Sequence, residues 1–243
     1  MGVKMLKIRN LDINCIQYGK GSDVVLLHGW GQNIEMMNPL GKKLEDKYRV
    51  TIIDLPGHGK SSEPDENTTV YDYADIVKEV LDNLNVKNPC IIGHSFGGRI
   101  AIIYASKYDV SKIVLLGAPC IREKSKDSLK QKMLKKLKKV KGLDRFEEFA
   151  KKHIGSTDYR NASKTMRKIL VNTVNEDLSC YAMKVKCPAL LIWGSLDTEA
   201  PLVDAQKLEK IMKDAGLVVY EGGSHYTYLE FLQPVSRVIK NFV

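Results

Sequence analysis

Apolar residues follow two rhythms that alternate along the chain. Short runs rich in Val, Ile and Leu occupy residues 5–8, 13–18, 24–27, 49–53, 90–92, 113–116, 189–193 and 217–220. Several of these are continuously apolar, as strands covered on both faces must be. Between them, Tyr73, Val77, Val80, Leu81 and Leu84 recur at helical spacing, and Leu208, Ile211 and Met212 do the same. A further helical run holds Ile100, Ala101, Ile103, Tyr104 and Ala105. Pro234 suits the first turn of a closing helix with Val235, Val238, Ile239 and Phe242 on its inner face. Strands separated by helices predict an α/β fold, a mostly parallel eight-stranded sheet with helices on both faces. The first two runs are close enough to pair as an antiparallel hairpin at one edge.

The alternation stops after the sixth run. Leu129, Met133, Leu134, Leu137 and Val140 form an apolar stripe at spacings of three and four, surrounded by lysines. Met166, Ile169, Leu170 and Val174 form a second one. This predicts a helical cap at residues 120–186, inserted between the two parts of a sheet domain at 1–119 and 187–243. A chain of 243 residues has room for that arrangement as one α/β domain with an insertion.

Charge sharpens the division. The chain has 38 Lys and Arg against 29 Asp and Glu, a formal net charge of +9. Residues 121–184 alone hold 18 basic and 8 acidic side chains, so the excess lies in the cap and the remainder is nearly neutral. No aromatic residues interleave the lysines as a stacking platform would require, so nucleic acid is not expected as a partner. A basic cap over a neutral core points instead to a solvated helical face, or to steering of an anionic or carrier-bound small molecule. Cys15, Cys90, Cys120, Cys180 and Cys187 are odd in number and include no C-x-x-C pair. Reduced thiols in a cytoplasmic protein are the expectation, without a zinc site. Residues 1–10 build no secretory signal, no run approaches the length of a membrane span, and a monomer or weak homodimer is expected.

The chemistry lies at the ends of the strands. Gly93, His94, Ser95, Phe96 and Gly97 form a G-x-S-x-G sequence between a strand and a helical run. Such a turn needs small residues on both sides of the serine so that its hydroxyl stands clear of the backbone. His28, Gly29, Trp30 and Gly31 follow the third strand, and Gly194 to Pro201 places Asp197 after the seventh. Gly222, Gly223, Ser224 and His225 follow the last strand, and Asp54 to Ser61 follows the fourth. Two other motifs fail on inspection. Asp54 stands where a phosphate-binding loop ending at Gly59, Lys60, Ser61 would need glycine, and Ile34 stands where a dinucleotide fingerprint from Gly29 would need one.

Taken together, these segments resemble the α/β-hydrolase family of serine esterases and lipases, over residues 3–119 and 187–243. The resemblance implies an α/β-hydrolase fold with Ser95 as nucleophile, His225 as base and Asp197 as acid, in the chain order that family uses. Glu199 and Asp204 are the competing acids. Backbone N–H groups of Trp30 and Phe96 would form the oxyanion hole, and Trp30, Phe96 and Tyr226 would border the substrate. An epoxide hydrolase or dehalogenase of this fold would carry Asp at position 95, and a dienelactone hydrolase Cys. The implied reaction is hydrolysis of a carboxylic ester or thioester through an acyl-enzyme on Ser95, with no cofactor and no metal. Carbon–carbon bond hydrolysis, acyl transfer and perhydrolysis share the same triad, and a ligand-binding protein retaining the fold is the alternative of another class. His28, His58 and His94 are expected to serve loop structure, and His153 to lie on the surface.

Overall fold

The structure is a computed structural model that describes residues 2–122 and 162–243. The strands are β1 (Gly2–Ile8), β2 (Leu11–Tyr18), β3 (Ser22–Leu27), β4 (Tyr48–Ile53), β5 (Cys90–His94), β6 (Lys112–Leu116), β7 (Ala189–Gly194) and β8 (Ala215–Tyr220). They form a single sheet in the order β1-β2-β4-β3-β5-β6-β7-β8. β1 and β2 pair antiparallel, as do β2 and β4, and every later neighbour is parallel. Each strand expected from the apolar runs is present, including the edge hairpin.

The helices are α1 (Ile34–Leu44), α2 (Val70–Asn83), α3 (Phe96–Lys107), α4 (Lys164–Val174), α5 (Ser179–Ala182), α6 (Leu202–Ile211), α7 (Thr227–Glu230) and α8 (Leu232–Phe242). α2 opens with a capping box in which Thr69 and Asp72 satisfy each other's backbone N–H groups. α1 is an addition to the sequence reading. Ile34, Met37, Leu40 and Leu44 are its buried face, but Pro39 and Gly41 lie inside it and argue locally against a helix. Two contacts offset that weakness: Asn33 Oδ1 accepts the Glu35 N–H at 2.9 Å, and Asp54 Oδ1 accepts the Ile34 N–H at 2.8 Å.

Because alternate strand residues point to opposite faces, the sheet divides the core in two. Val25, Leu27, Ile91, Leu115, Leu191 and Trp193 belong to the cluster that includes residues of α2, α3, α4 and α6. Val24, Leu26, Ile92, Val114, Leu190 and Ile192 belong to the cluster that includes residues of α1 and α8. Of the two apolar stripes in the insertion, the second lies on α4, with Met166, Ile169 and Leu170 buried in the first cluster and Val174 packed against it. The stripe from Leu129 to Val140 falls outside the described residues.

α4 is tied to the sheet domain by a buried charge that the apolar pattern does not reveal. Arg99, in the second turn of α3, is 1% exposed. Its guanidinium donates to the carbonyls of Thr173 at 2.7 Å and Glu176 at 2.5 Å, where α4 ends, and to that of Pro119, just after β6. A helix C-terminus leaves carbonyls without partners, and a cation supplies donors where the helix dipole is negative. Replacing Arg99 with Met should lower stability by about 3 kcal/mol, because one buried and two partly buried carbonyls lose a charged donor. The check is the midpoint of urea unfolding, and a midpoint within error of wild type would refute the role.

Candidate active site

The parallel strands end along one rim, and the expected site residues sit in the loops that leave it. β5 passes into α3 through Ser95, whose backbone has φ 49° and ψ −111°, a left-handed φ that residues with a Cβ rarely adopt. The two glycines of the motif make this turn possible. A Cβ on Gly93 would lie 2.4 Å from the Gly97 carbonyl group, and one on Gly97 would lie 2.3 Å from the Leu27 carbonyl oxygen at the end of β3. The Ser95 N–H donates to the Leu116 carbonyl at 2.9 Å, which holds the turn against the end of β6. Phe96 is the first residue of α3, where helix N–H groups have no partner within the helix.

The loop after β3 is fixed from below by His28. Its Nε2 accepts the Leu55 N–H at 3.0 Å, so Nδ1 carries the proton and donates to the Gly29 carbonyl at 2.7 Å. Burial pushes this imidazole down to about 3, so it stays neutral. The Trp30 ring packs edge to face on that of Phe96 at 5.1 Å and on that of His58 at 4.9 Å. His58 donates from Nδ1 to the Pro56 carbonyl at 2.9 Å. A cavity of about 320 Å³ lies beside this loop, lined by Trp30, Gln32, His58, Glu63 and Met166 among others.

Asp197 and His225 meet directly. His225 Nδ1 lies 2.9 Å from Asp197 Oδ2, and the two side chains are 6% and 0% exposed. The other oxygen, Asp197 Oδ1, accepts the N–H groups of Glu199 at 2.9 Å and Ala200 at 2.8 Å. Trp193 holds the same loop by donating from Nε1 to the Ala200 carbonyl at 2.7 Å. With Asp197 accepting, a neutral His225 carries its proton on Nδ1 and leaves the lone pair on Nε2. Of the competing acids, Asp204 sits in the first turn of α6, 3.8 Å from Lys207. Glu199 places Oε2 3.6 Å from Nε2, the opposite nitrogen.

Gly117 and Gln32, outside the sequence assignment, complete the arrangement together with His94. Gly117, at φ 52°, lies under the pair: a Cβ there would be 3.0 Å from Asp197 Oδ2 and 3.2 Å from His225 Nδ1. It follows Leu116, so the Ser95 turn and the Asp197–His225 pair rest on adjacent residues. His94 places Nε2 3.0 Å from the His225 carbonyl, and the Gln32 side chain lies 3.2 Å from its Nδ1. The His94 ring also packs against those of His225 and Tyr226 at 4.8 and 5.5 Å. His28, His58 and His94 thus all bond to backbone groups of the loops. Asp54 is a further tie, since Oδ2 accepts from Asn14 Nδ2 at 2.7 Å and from the Lys60 N–H at 2.9 Å. Gly117 could have been noticed as a glycine directly after a strand, whereas the role of Gln32 has no sequence signal. His153 lies outside the described residues.

Among the described residues no group of three or more His, Cys, Asp and Glu is placed to hold a metal ion, and no helix is long and apolar enough to cross a membrane. The five cysteines are free thiols.

Comparison with known proteins gives a consistent result. A family model described as alpha/beta hydrolase fold matches residues 24–135. The AB hydrolase superfamily protein YisY of Bacillus subtilis is 28% identical, with 92% of each chain covered. The pimeloyl-[acyl-carrier protein] methyl ester esterase of Aliivibrio fischeri is also 28% identical, over 93% of this chain and 95% of that one. The crystal structure of a bromoperoxidase from Bacillus anthracis superposes with a TM-score of 0.79 at 22% identity, covering 99% of both chains. At that identity the superposition speaks for the fold alone.

Two predictions follow from the packing around the pair. Gly117→Ala should cut kcat at least tenfold while leaving the protein folded, because its Cβ presses on both Asp197 and His225 and strains a left-handed residue by about 1–2 kcal/mol. Steady-state kinetics and thermal unfolding decide it, and wild-type kcat would refute the proposed crowding. The second concerns acid. Burial also pushes His94 down to about 3, as it does His28, while an unfolded histidine takes up a proton near 6.5. Between those values the unfolded chain binds more protons, so each of these residues makes stability fall as pH drops from about 6.5 towards 3. The pH dependence of the urea midpoint in that window should lose about one proton in His94→Gln, and an unchanged slope would count against a neutral His94.

Proposed function

We propose that this chain, whose fold is that of the α/β hydrolases, is a serine hydrolase acting on a carboxylic ester or thioester. The observation that carries this reading is the buried Asp197–His225 pair, bonded at 2.9 Å beside the left-handed turn at Ser95. A serine hydroxyl is a poor nucleophile until a base takes its proton. In the proposed reaction Ser95 Oγ attacks the substrate carbonyl carbon as His225 Nε2 accepts its proton. Asp197 holds the imidazole in the required tautomer and stabilises the imidazolium. The N–H groups of Trp30 and Phe96 stabilise the oxyanion, each contributing about 3–4 kcal/mol to the transition state. Collapse of the tetrahedral intermediate breaks the bond to the leaving oxygen or sulfur, which takes the proton from Nε2. Water, activated by the same nitrogen, then releases the acid.

Support for an ester rather than another acyl bond comes from a relative, a methyl ester esterase by name, that the chain matches over nearly its whole length. That protein's named substrate is attached to a carrier protein, which is compatible with a substrate here that is carrier-bound or anionic. Residues 120–186 are read as a cap on the core at 1–119 and 187–243. The described part of that segment supports this, since α4 brings Met166 to the cavity beside Trp30. Trp30, Phe96 and Tyr226 are the proposed substrate-facing residues, and no cofactor enters the reaction.

Wild-type protein should be labelled by a serine-directed fluorophosphonate and should hydrolyse a panel of p-nitrophenyl esters. Ser95→Ala should lose labelling and on the order of 10⁶ in turnover. Turnover that survives the substitution would refute Ser95 as nucleophile, and absence of both activities in the wild type would favour a non-catalytic ligand-binding protein.

A further inference from the structure

The imidazole of His225 lies between two carboxylates with different surroundings. Asp197 meets Nδ1 and is buried, whereas Glu199 places Oε2 3.6 Å from Nε2 on a side chain that is 61% exposed. The position of Glu199 is not accidental to the loop. Its backbone N–H is bonded to Asp197 Oδ1 at 2.9 Å, so the acid that orients the base also anchors Glu199 beside it. Whereas the Asp197 side chain is enclosed, that of Glu199 faces solvent. Its side chain is not needed to orient the base, since Asp197 already does so from the other nitrogen.

In the proposed acyl transfer, Nε2 delivers its proton to the departing oxygen. The carbon–oxygen bond of the tetrahedral intermediate breaks, the electron pair stays on that oxygen, the proton from Nε2 makes it an alcohol, and the acyl group remains on Ser95 Oγ. Proton delivery requires the departing oxygen within about 3 Å of Nε2, and hence within about 7 Å of the Glu199 carboxylate. We infer that Glu199 selects the leaving group by charge: esters of neutral or cationic alcohols are accepted, and esters whose alcohol carries an anion near the ester oxygen are disfavoured. This rests on the assignment of Ser95 and His225 made above and names the alcohol side of that same substrate. An anion or carrier at the far end of a long acyl chain is separated from Glu199 by that chain, so solvent screening weakens its effect.

The charged group of such an alcohol lies two carbons beyond the departing oxygen, within about 12 Å of the carboxylate, where a unit charge changes kcat/KM by about two- to threefold at low salt. The test uses three esters sharing the acyl chain that the enzyme hydrolyses best as a p-nitrophenyl ester. Their alcohols are choline, its uncharged isostere 3,3-dimethylbutanol, and 2-hydroxyethanesulfonate. In the wild type at about 10 mM salt, kcat/KM should fall in that order, and added salt should compress the differences. Glu199→Gln should bring the three values together and Glu199→Lys should reverse their order. The same spread in Glu199→Gln as in the wild type would overturn the inference, provided Ser95→Ala is inactive on all three. If Ser95→Ala retains turnover, the serine-hydrolase reading fails first and this one falls with it.

Discussion

The backbone at Ser95 is the constraint on which the rest of the site depends. A left-handed φ at a residue with a Cβ costs energy, and here it is held between β5 and the first turn of α3. The chain can take this path because hydrogen replaces Cβ at Gly93 and Gly97, letting α3 approach the end of β3 closely. One consequence is chemical, since the turn presents the serine at the N-terminus of a helix whose first N–H groups are free for an anion. Another is architectural. The same close approach sets β3, β5 and α3 in register, so the loop carrying Trp30 and the residue Phe96 lie in one aromatic layer.

Around that turn, polar groups on successive loops are bonded to each other rather than left to solvent. His28 joins the loops after β3 and β4, Asp54 joins β2, the start of α1 and the Lys60 turn, and His94 joins β5 to the loop of His225. Loops carry function because they vary, yet a reacting group must be held to fractions of an ångström. Buried imidazoles are suited to the task, since each neutral ring offers one donor and one acceptor and burial keeps it neutral. Arg99 does the equivalent on the far side, bonding the end of α4 to the core through three carbonyls.

Most of the fold is legible in the order of apolar runs. Strand β5, for example, is announced by Cys90, Ile91 and Ile92, and the closing helix by Val235, Val238 and Ile239. α1 is not, because Pro39 and Gly41 lower its intrinsic preference and its support comes from Asp54, twenty residues away in sequence. The turn at Ser95 is also legible, since a Cβ at Gly93 or Gly97 would overlap neighbouring backbone. Arg99 is hidden for the opposite reason: it stands in an apolar helix, and the carbonyls that justify its burial belong to Pro119, Thr173 and Glu176.

By itself the sequence determined the chemistry available and its order along the chain: a serine in a glycine-flanked turn, a group of acids after the seventh strand, a histidine after the eighth, and a basic excess confined to residues 121–184. The tertiary structure decided how those acids are used. Asp197, Glu199 and Asp204 lie within eight residues of one another, and in the irregular loop that holds the first two no periodicity says which way a side chain points. Folding places Asp197 on Nδ1 of the imidazole, Glu199 beside Nε2, and Asp204 next to Lys207 on α6. The difference arises because Asp197 Oδ1 is bonded to the backbone of its own loop while Oδ2 faces His225, which arrives from a different strand.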